Sequence, residues 1–446
     1  MTGRHLHLNA FLMSTGHHEA SWRLPESNPY AGTDIGHYIA LARIAERGTF
    51  DSLFLADSPQ LNSDPGRRPV GVLEPLTLLT VLAGVTERIG LIATASTSYN
   101  SPYNLARRLA SLDHVSNGRA GWNIVTSATR EAARNFGLSE LPDHASRYAR
   151  ADEFVRVTQK LWDSWEDDAI IADKSTGVWG DSSRIHPAHH HGEYYFVDGP
   201  LNIPRSPQGH PLLVQAGSSE AGKVLAARYA DAVFTAQQTV DEARDFYNDV
   251  KSRAAAAGRE RESVKILPGI VPVIGSTEEQ ARAKERELTE AIVPDYAHRQ
   301  LAGTLGVPIE DLPLDAQLPA NLPGEDAIEG GKSRYSLIVE LARRERLTVR
   351  TLIGRLGGGR GHLTITGTPE QIAETIIEWF QVGAADGFNV MGPVLPSGLE
   401  LFVDHVVPIL RARGVFRTEY EAQTLRGHYG LAQPAPRRAQ PVAVNA

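Results

Sequence analysis

No cysteine occurs among the 446 residues. A disulfide framework, a thiolate metal site and a cysteine nucleophile are therefore excluded, and a reducing compartment is favoured. No apolar run approaches the ~18 residues a membrane span needs, and the opening MTGRHLHLNAFLMSTG lacks the long apolar core of a signal peptide. These absences predict a soluble, cytoplasmic protein. No long basic stretch interrupts a formal net charge of -8, which disfavours nucleic acid and anionic membranes as partners and leaves a small molecule. No dinucleotide-binding glycine fingerprint for NAD(P)H is visible. Gly330-Gly331-Lys332-Ser333 ends like a phosphate-binding loop, but Asp326 stands where the first glycine belongs and no strand precedes it, so that motif is rejected.

What is present is ordinary globular composition, 41% hydrophobic and 22% charged. Short apolar or β-branched runs alternate with longer segments of helical period, the pattern of βαβ units. Strands are expected at 5–12, 51–56, 89–95, 120–126, 212–216, 232–235, 264–274 and 387–391. Helices are expected at 35–47, 73–87, 103–116, 146–165, 220–229, 240–257, 277–291 and 399–413. Eight such pairs favour an α/β fold of the (β/α)8 TIM-barrel type over an open doubly wound sheet. The chain reads as one barrel domain, 1–432, with insertions at about 167–208 and 294–368 and a disordered Pro/Ala/Arg-rich tail at 433–446. The first insertion holds a candidate hairpin in GEYYFVDGPLNIP, and the second a helix over 336–353 followed by a glycine cluster at 357–361.

Active sites of such barrels form where the C-terminal ends of the strands converge, so polar residues there are informative. The second strand ends in Asp57-Ser58 and the third in Thr94-Ala95-Ser96-Thr97. The fourth carries Asn123, Thr126 and Ser127, and the fifth Gln215-Ala216-Gly217-Ser218-Ser219. Each residue alone reads equally well as a helix cap or turn; four successive strands together point to a site. Gly217-Ser218-Ser219 opens a helix, where unbonded N–H groups and hydroxyls suit a phosphate. His144 and Tyr148, four apart at the start of the fourth helix, share a face and could grip one ligand. Phe11, Phe54 and Trp122 are candidate walls of a dry pocket, or plain core. His189-His190-His191 reads as a solvated loop, because consecutive histidines cannot all face one ion without strain, and no metal-ligand spacing is found at a strand end.

Several stretches then carry a resemblance. HLNAFLMSTGHHEASWR, GTFDSLFLADSPQL, the long block EPLTLLTVLAGVTERIGLIATASTSYNSPYNLARRLASLDHVSNGRAGWNIVTS, HASRYARADEFVRVTQKLWDSW, PLLVQAGSSEAG and GTPEQIAETI resemble the nitrilotriacetate, dibenzothiophene-sulfone and pristinamycin-type monooxygenases. These are a branch of the bacterial-luciferase-like superfamily, and the resemblance extends to about Phe416. It implies a (β/α)8 barrel and a two-component oxygenase in which a separate NAD(P)H:flavin reductase supplies reduced FMN (FMNH2). O2 is then the co-substrate, and one oxygen atom reaches a small organic substrate through a C4a-peroxyflavin. A homodimer or homotetramer is implied as well. Carried over residue by residue, the family's FMN contacts fall on Asp57, Thr94, His144, Tyr148, and Ser218 or Ser219, and its reaction pocket on His17 or His18 and Ser127. One of the two histidines would support the activated oxygen, and the other would behave as a surface residue. The rivals are an F420-dependent oxidoreductase of the same superfamily, a non-catalytic flavin-binding barrel and a metal-dependent barrel hydrolase. The substrate itself, whether amine, sulfone, alkane or ketone, is not legible.

Overall fold

Eight parallel strands close on themselves in chain order: His7–Leu12, Ser52–Leu55, Gly90–Ser96, Ala120–Val125, Leu212–Gln215, Ala232–Thr235, Lys265–Ile274 and Gly387–Val390. Each pairs with the next, and the eighth returns to the first through His7↔Gly387 and Ala10↔Val390. This closed barrel excludes the open doubly wound sheet. It is seen in a computed structural model that describes residues 4–61, 64–324, 327–328, 332–359 and 361–435. Gly330 and Gly331, and the tail beyond residue 435, lie outside the described residues. No helix among the described residues is long and apolar enough to cross a membrane.

Alternation along each strand sorts the side chains. Every second residue points into the barrel, and its neighbours pack against the surrounding helices. Inside, Asn9 accepts hydrogen bonds from Ser52 Oγ (2.8 Å) and Tyr429 Oη (2.8 Å) and donates to Asn389 Oδ1 (3.1 Å). Above this polar layer Phe11, Phe54 and Phe234 meet edge to face, with centroids 5.0–5.5 Å apart. Burial of three such rings, at about 1.5–3 kcal/mol each, gives the mouth of the barrel a rigid apolar floor. Trp122 takes no part in it. It faces the helical layer, against Phe154 (5.7 Å) and Trp162 (6.4 Å), with its indole N–H on the Ala95 carbonyl (3.0 Å), because it is one residue out of phase with inward-facing Asn123.

The opposite end is closed by the short helix Leu425–His428, which no sequence pattern announced. Leu425 and Tyr429 enter the barrel, and Arg426 forms a two-pronged salt bridge with Asp231 (2.8 and 3.1 Å). Gly90 makes room for this plug, since a Cβ there would lie 2.3 Å from Leu425 Cδ1.

The ring of helices departs from expectation in one unit. Pro369–Gln381, opened by a Thr368/Gln371 capping box, buries Ile372, Ile376, Trp379 and Phe380 and packs on the last helical segment. Glu278–Glu290, expected as that unit's helix, instead leads into the second insertion. There Pro294–Leu305, Lys332–Arg344 and Val349–Gly359 share a small core of Leu301, Leu305, Ile338, Leu341 and Leu352. The single helix expected over 336–353 is thus two helices, parted where Arg346 adopts φ 52°. A further strand, Leu363–Gly367, extends the sheet beside the upper half of the seventh strand. In the first insertion the hairpin pairs His190–His191 with Phe196–Val197, slightly earlier than expected. His190 is buried against Glu153 (2.9 Å) rather than solvated.

Candidate active site

Three arcs of polar residues lie along the C-terminal rim. On the fifth and sixth strands, a Cβ added to Gly217 would lie 2.5 Å from Gln215 Nε2 and 2.9 Å from Tyr148 Oη. Only glycine leaves this cradle open. Tyr148 comes from the helix His144–Trp162, where its ring lies 4.7 Å from that of His144, so Tyr148 of the i, i+4 pair meets the glycine turn from a separate element. The two serines divide their work. Ser219 caps the helix Glu220–Tyr229, its hydroxyl accepting from the Gly222 N–H (3.2 Å), whereas Ser218 Oγ stands 3.3 Å from Thr235 Oγ1. Gln237 Nε2 also donates to Thr235 Oγ1 (2.9 Å). Glu220, which would repel an anion at this helix start, is drawn off by Lys223 (3.1 Å) and Arg253 (2.8 Å).

The second arc joins the third and fourth strands. Asn123 donates from Nδ2 to Thr94 Oγ1 (2.8 Å), while its buried Oδ1 has no protein partner among the described residues, nor has Gln215 Oε1. Buried acceptors left in this way are costly unless a ligand donates to them. Ser127, at φ 26°, donates to Ser96 Oγ (2.8 Å). It is half-buried at the rim and does not line the principal cavity.

That cavity, about 510 Å³, forms the third arc over the first, second and eighth strands. Phe11, His17, Asp57, His362 and Met391 line it, with Arg68 from the loop after the second strand and Arg334 from the insertion. It is ample for a small ligand. Asp57 is half-buried, and its carboxyl is pushed up from the ordinary range by desolvation and by the nearby Glu74. His362 stacks on Phe234 (5.1 Å, 10°) above Gly269, where a Cβ would lie 2.4 Å from His362 Nδ1. The sequence reading missed His362, Gln237 and Arg68. His362 could have been suspected from its place before a β-branched run and after a glycine cluster; for Arg68 there is no local signal.

His17 and His18 part company. His17 lines the cavity, with its ring against Phe11 (4.6 Å) and Nε2 2.8 Å from the Phe11 carbonyl. His18 turns away toward the insertion, accepting from the Ala20 N–H (3.2 Å) and packing beneath Gly357 and Gly358. Both are at most 5% exposed, so the expectation that one would be a surface residue is overturned. A tight reversal after Gly16, at φ 131°, folds both rings inward. Burial drives the His18 imidazole down to about 4. In the unfolded chain it binds a proton at ~6.5, so the fold loses stability as pH falls from 6.5 toward 4 and this contribution is complete above 6.5. A His18→Phe variant should show a shallower fall in urea-unfolding free energy over that window, by up to about 3 kcal/mol; an unchanged slope would mean that His18 is charged in the folded state.

Comparison with known proteins places the chain in a family. The family model described as luciferase-like monooxygenase matches residues 11–386. The chain is 48% identical over 438 residues to N-acetyl-S-(2-succino)cysteine monooxygenase of Bacillus subtilis (strain 168), covering 98% of this chain and 99% of that one. It is 48% identical over 451 residues to nitrilotriacetate monooxygenase component A of Aminobacter aminovorans, again covering 98% and 99%. Among solved structures, a riboflavin lyase with modified FMN and riboflavin superposes with a TM-score of 0.86 at 30% identity, covering 98% of this chain and all of that one.

Proposed function

The chain belongs to the luciferase-like monooxygenase family, and from that premise we propose that it is an FMNH2-dependent, two-component enzyme that places one oxygen atom of O2 on a small, acidic organic substrate. The observation that carries the cofactor assignment is the Gly217 cradle, with Tyr148 and Ser218 around it. A helix start with unbonded N–H groups, a phenol and a hydroxyl together suit a phosphate monoester. The orphaned buried acceptors Asn123 Oδ1 and Gln215 Oε1 suit the hydroxyl and N–H donors of a ribityl chain and flavin ring. The residues present therefore fit FMN, with its phosphate end at Tyr148, His144 and Ser218, its middle by Thr94 and Asn123, and its ring toward Asp57.

Reduced FMN, when bound, supplies the electrons that activate dioxygen, chemistry no side chain here can provide. The protein supplies the rest. Phe11, Phe54 and Phe234 exclude water from beneath the ring site. His17 faces the same cavity with a titratable ring. Its Nε2 carries the proton in the neutral form, because the Phe11 carbonyl only accepts, and the ring is the group to which proton exchange with a reacting group is assigned. Ser127 holds Ser96 and with it the rim between the third and fourth strands, a positioning role. Dependence on a separate flavin reductase is supported by the name component A borne by one relative and by the missing dinucleotide fingerprint. An acidic substrate is supported by the names of both relatives at 48% identity, which denote carboxylate-bearing compounds.

The protein should purify colourless and bind dithionite-reduced FMN under nitrogen at least tenfold more tightly than oxidised FMN. Fluorescence titration of the two forms measures this. Stoichiometric yellow flavin that survives gel filtration and is reduced directly by NADH would overturn the two-component assignment.

A further inference from the structure

Behind the cavity at the barrel mouth lies a second one of about 340 Å³, set between the mouth and the insertion helices. Met13, Arg68 and Arg334 line both cavities, so these three residues form their common wall. Tyr296, Leu301, Ile338, Ile353 and Leu356 give the outer chamber an apolar side, and Glu19, Gln300 and Thr304 give it a polar one. Arg68 is half-buried in this wall and makes no ion pair among the described residues. Glu19 lines the outer chamber and Asp57 the inner one, yet neither lies within ion-pair distance of Arg68. A guanidinium held half out of water, without a carboxylate partner among the described residues, is costly unless an anion completes it. Its planar fork matches a carboxylate through two parallel hydrogen bonds.

Resting on the flavin-oxygenase reading of the site, we propose that Arg68 is the specificity-determining residue. It binds a carboxylate of the substrate at the wall between the two chambers, which Arg334 also lines. The rest of such an acid extends into the mouth, where His17 and Met391 lie and the cavity is larger. Small neutral molecules of equal size gain nothing from Arg68 and are disfavoured by the cost of desolvating it. The oxygenated carbon or heteroatom is thereby set a fixed reach from a carboxyl group, so the site selects acids by charge and by the spacing between acid and reacting centre.

Tricarballylate and its neutral trimethyl ester serve as probes, titrated calorimetrically under nitrogen into the full-length protein with and without dithionite-reduced FMN. Wild type should bind the acid at least tenfold more tightly than the ester. Arg68→Met should lose that preference, with acid affinity down tenfold or more and ester affinity within twofold. Arg68→Lys should keep part of the preference, and Arg334→Met should lose less than Arg68→Met. Reduced-FMN affinity within twofold of wild type shows that each variant is folded. Equal binding of ester and acid, wild-type acid affinity in Arg68→Met, or no binding of either probe would overturn the assignment of Arg68. Failure of wild type to bind reduced FMN while the acid still saturates would instead overturn the flavin reading and leave the carboxylate site standing.

Discussion

Ser218→Ala should weaken FMN binding by roughly 1–3 kcal/mol, the scale of a lost charge-assisted hydrogen bond, and should leave riboflavin almost unaffected. Ser219→Ala should do something different. Its hydroxyl is already engaged with the Gly222 N–H, so its loss costs a helix cap, about 1 kcal/mol of stability, and only a small part of FMN affinity. Gly217→Ala should be the most damaging of the three, because the added Cβ lies 2.5 Å from Gln215 Nε2 and 2.9 Å from Tyr148 Oη and must displace one or both. Parallel titrations of FMN and riboflavin, with a thermal melt of each variant, separate these effects. Equal loss of both ligands in Ser218→Ala would place the phosphate elsewhere, and normal FMN binding by Gly217→Ala would remove the cradle from the site.

The barrel was legible because its signal is repeated. Eight apolar or β-branched runs, each bounded by polar turns, recur between helical segments, and the observed strands fall within two residues of the expected ends. What was missed is informative. Leu363–Gly367 is β-branched but only five residues long, and it becomes a strand because the long seventh strand offers a free edge from Ile270 to Ile274. Pro369–Gln381 has a clear helical period and a capping box at Thr368 and Gln371, but it follows an insertion long enough to hide which βα unit it completes. Leu425–His428 is too short for any periodicity, and its role as a plug depends on the space left by Gly90 and Gly121.

The rim residues were legible for a related reason. Strand ends converge in a closed barrel whatever the loops do, so Asp57, Thr94, Ser127 and Ser218 could be placed together from strand positions alone. Residues delivered by irregular segments could not. Arg68 arrives on a long loop and His362 on the far side of the second insertion, and the directions of their side chains are decided by tertiary contacts. The same limit applies to neighbours in sequence. Nothing in the dipeptide His17-His18 indicates that one ring enters the cavity and the other the insertion, because that is set by the reversal at Gly16 and by the glycine face of Val349–Gly359.

This division makes the two histidines a controlled pair for the reaction itself. His17→Ala should lower product per turnover by about 10²-fold or more, the scale of a lost proton-transferring group, while hydrogen peroxide rises to nearly one per reduced flavin. Activated oxygen that is poorly held, or reached by water, is released before it meets substrate. Reduced-FMN affinity should stay within about twofold, since His17 lies on the opposite arc of the rim from Tyr148 and Ser218. His18→Ala should do the reverse: coupling of oxygen to product is retained, and stability drops because a buried ring is removed from beneath Gly357 and Gly358. Both rings are buried, so misfolding must be distinguished from lost chemistry. His17→Asn, which can still donate a hydrogen bond to the Phe11 carbonyl, should fold like wild type and remain uncoupled. Single-turnover measurement of product and peroxide per flavin, made beside a melt and a reduced-FMN titration of each variant, reads all of these. Wild-type coupling in His17→Asn would assign His17 to loop structure alone and shift the search for the proton-transferring group to His362, the other imidazole facing the same cavity.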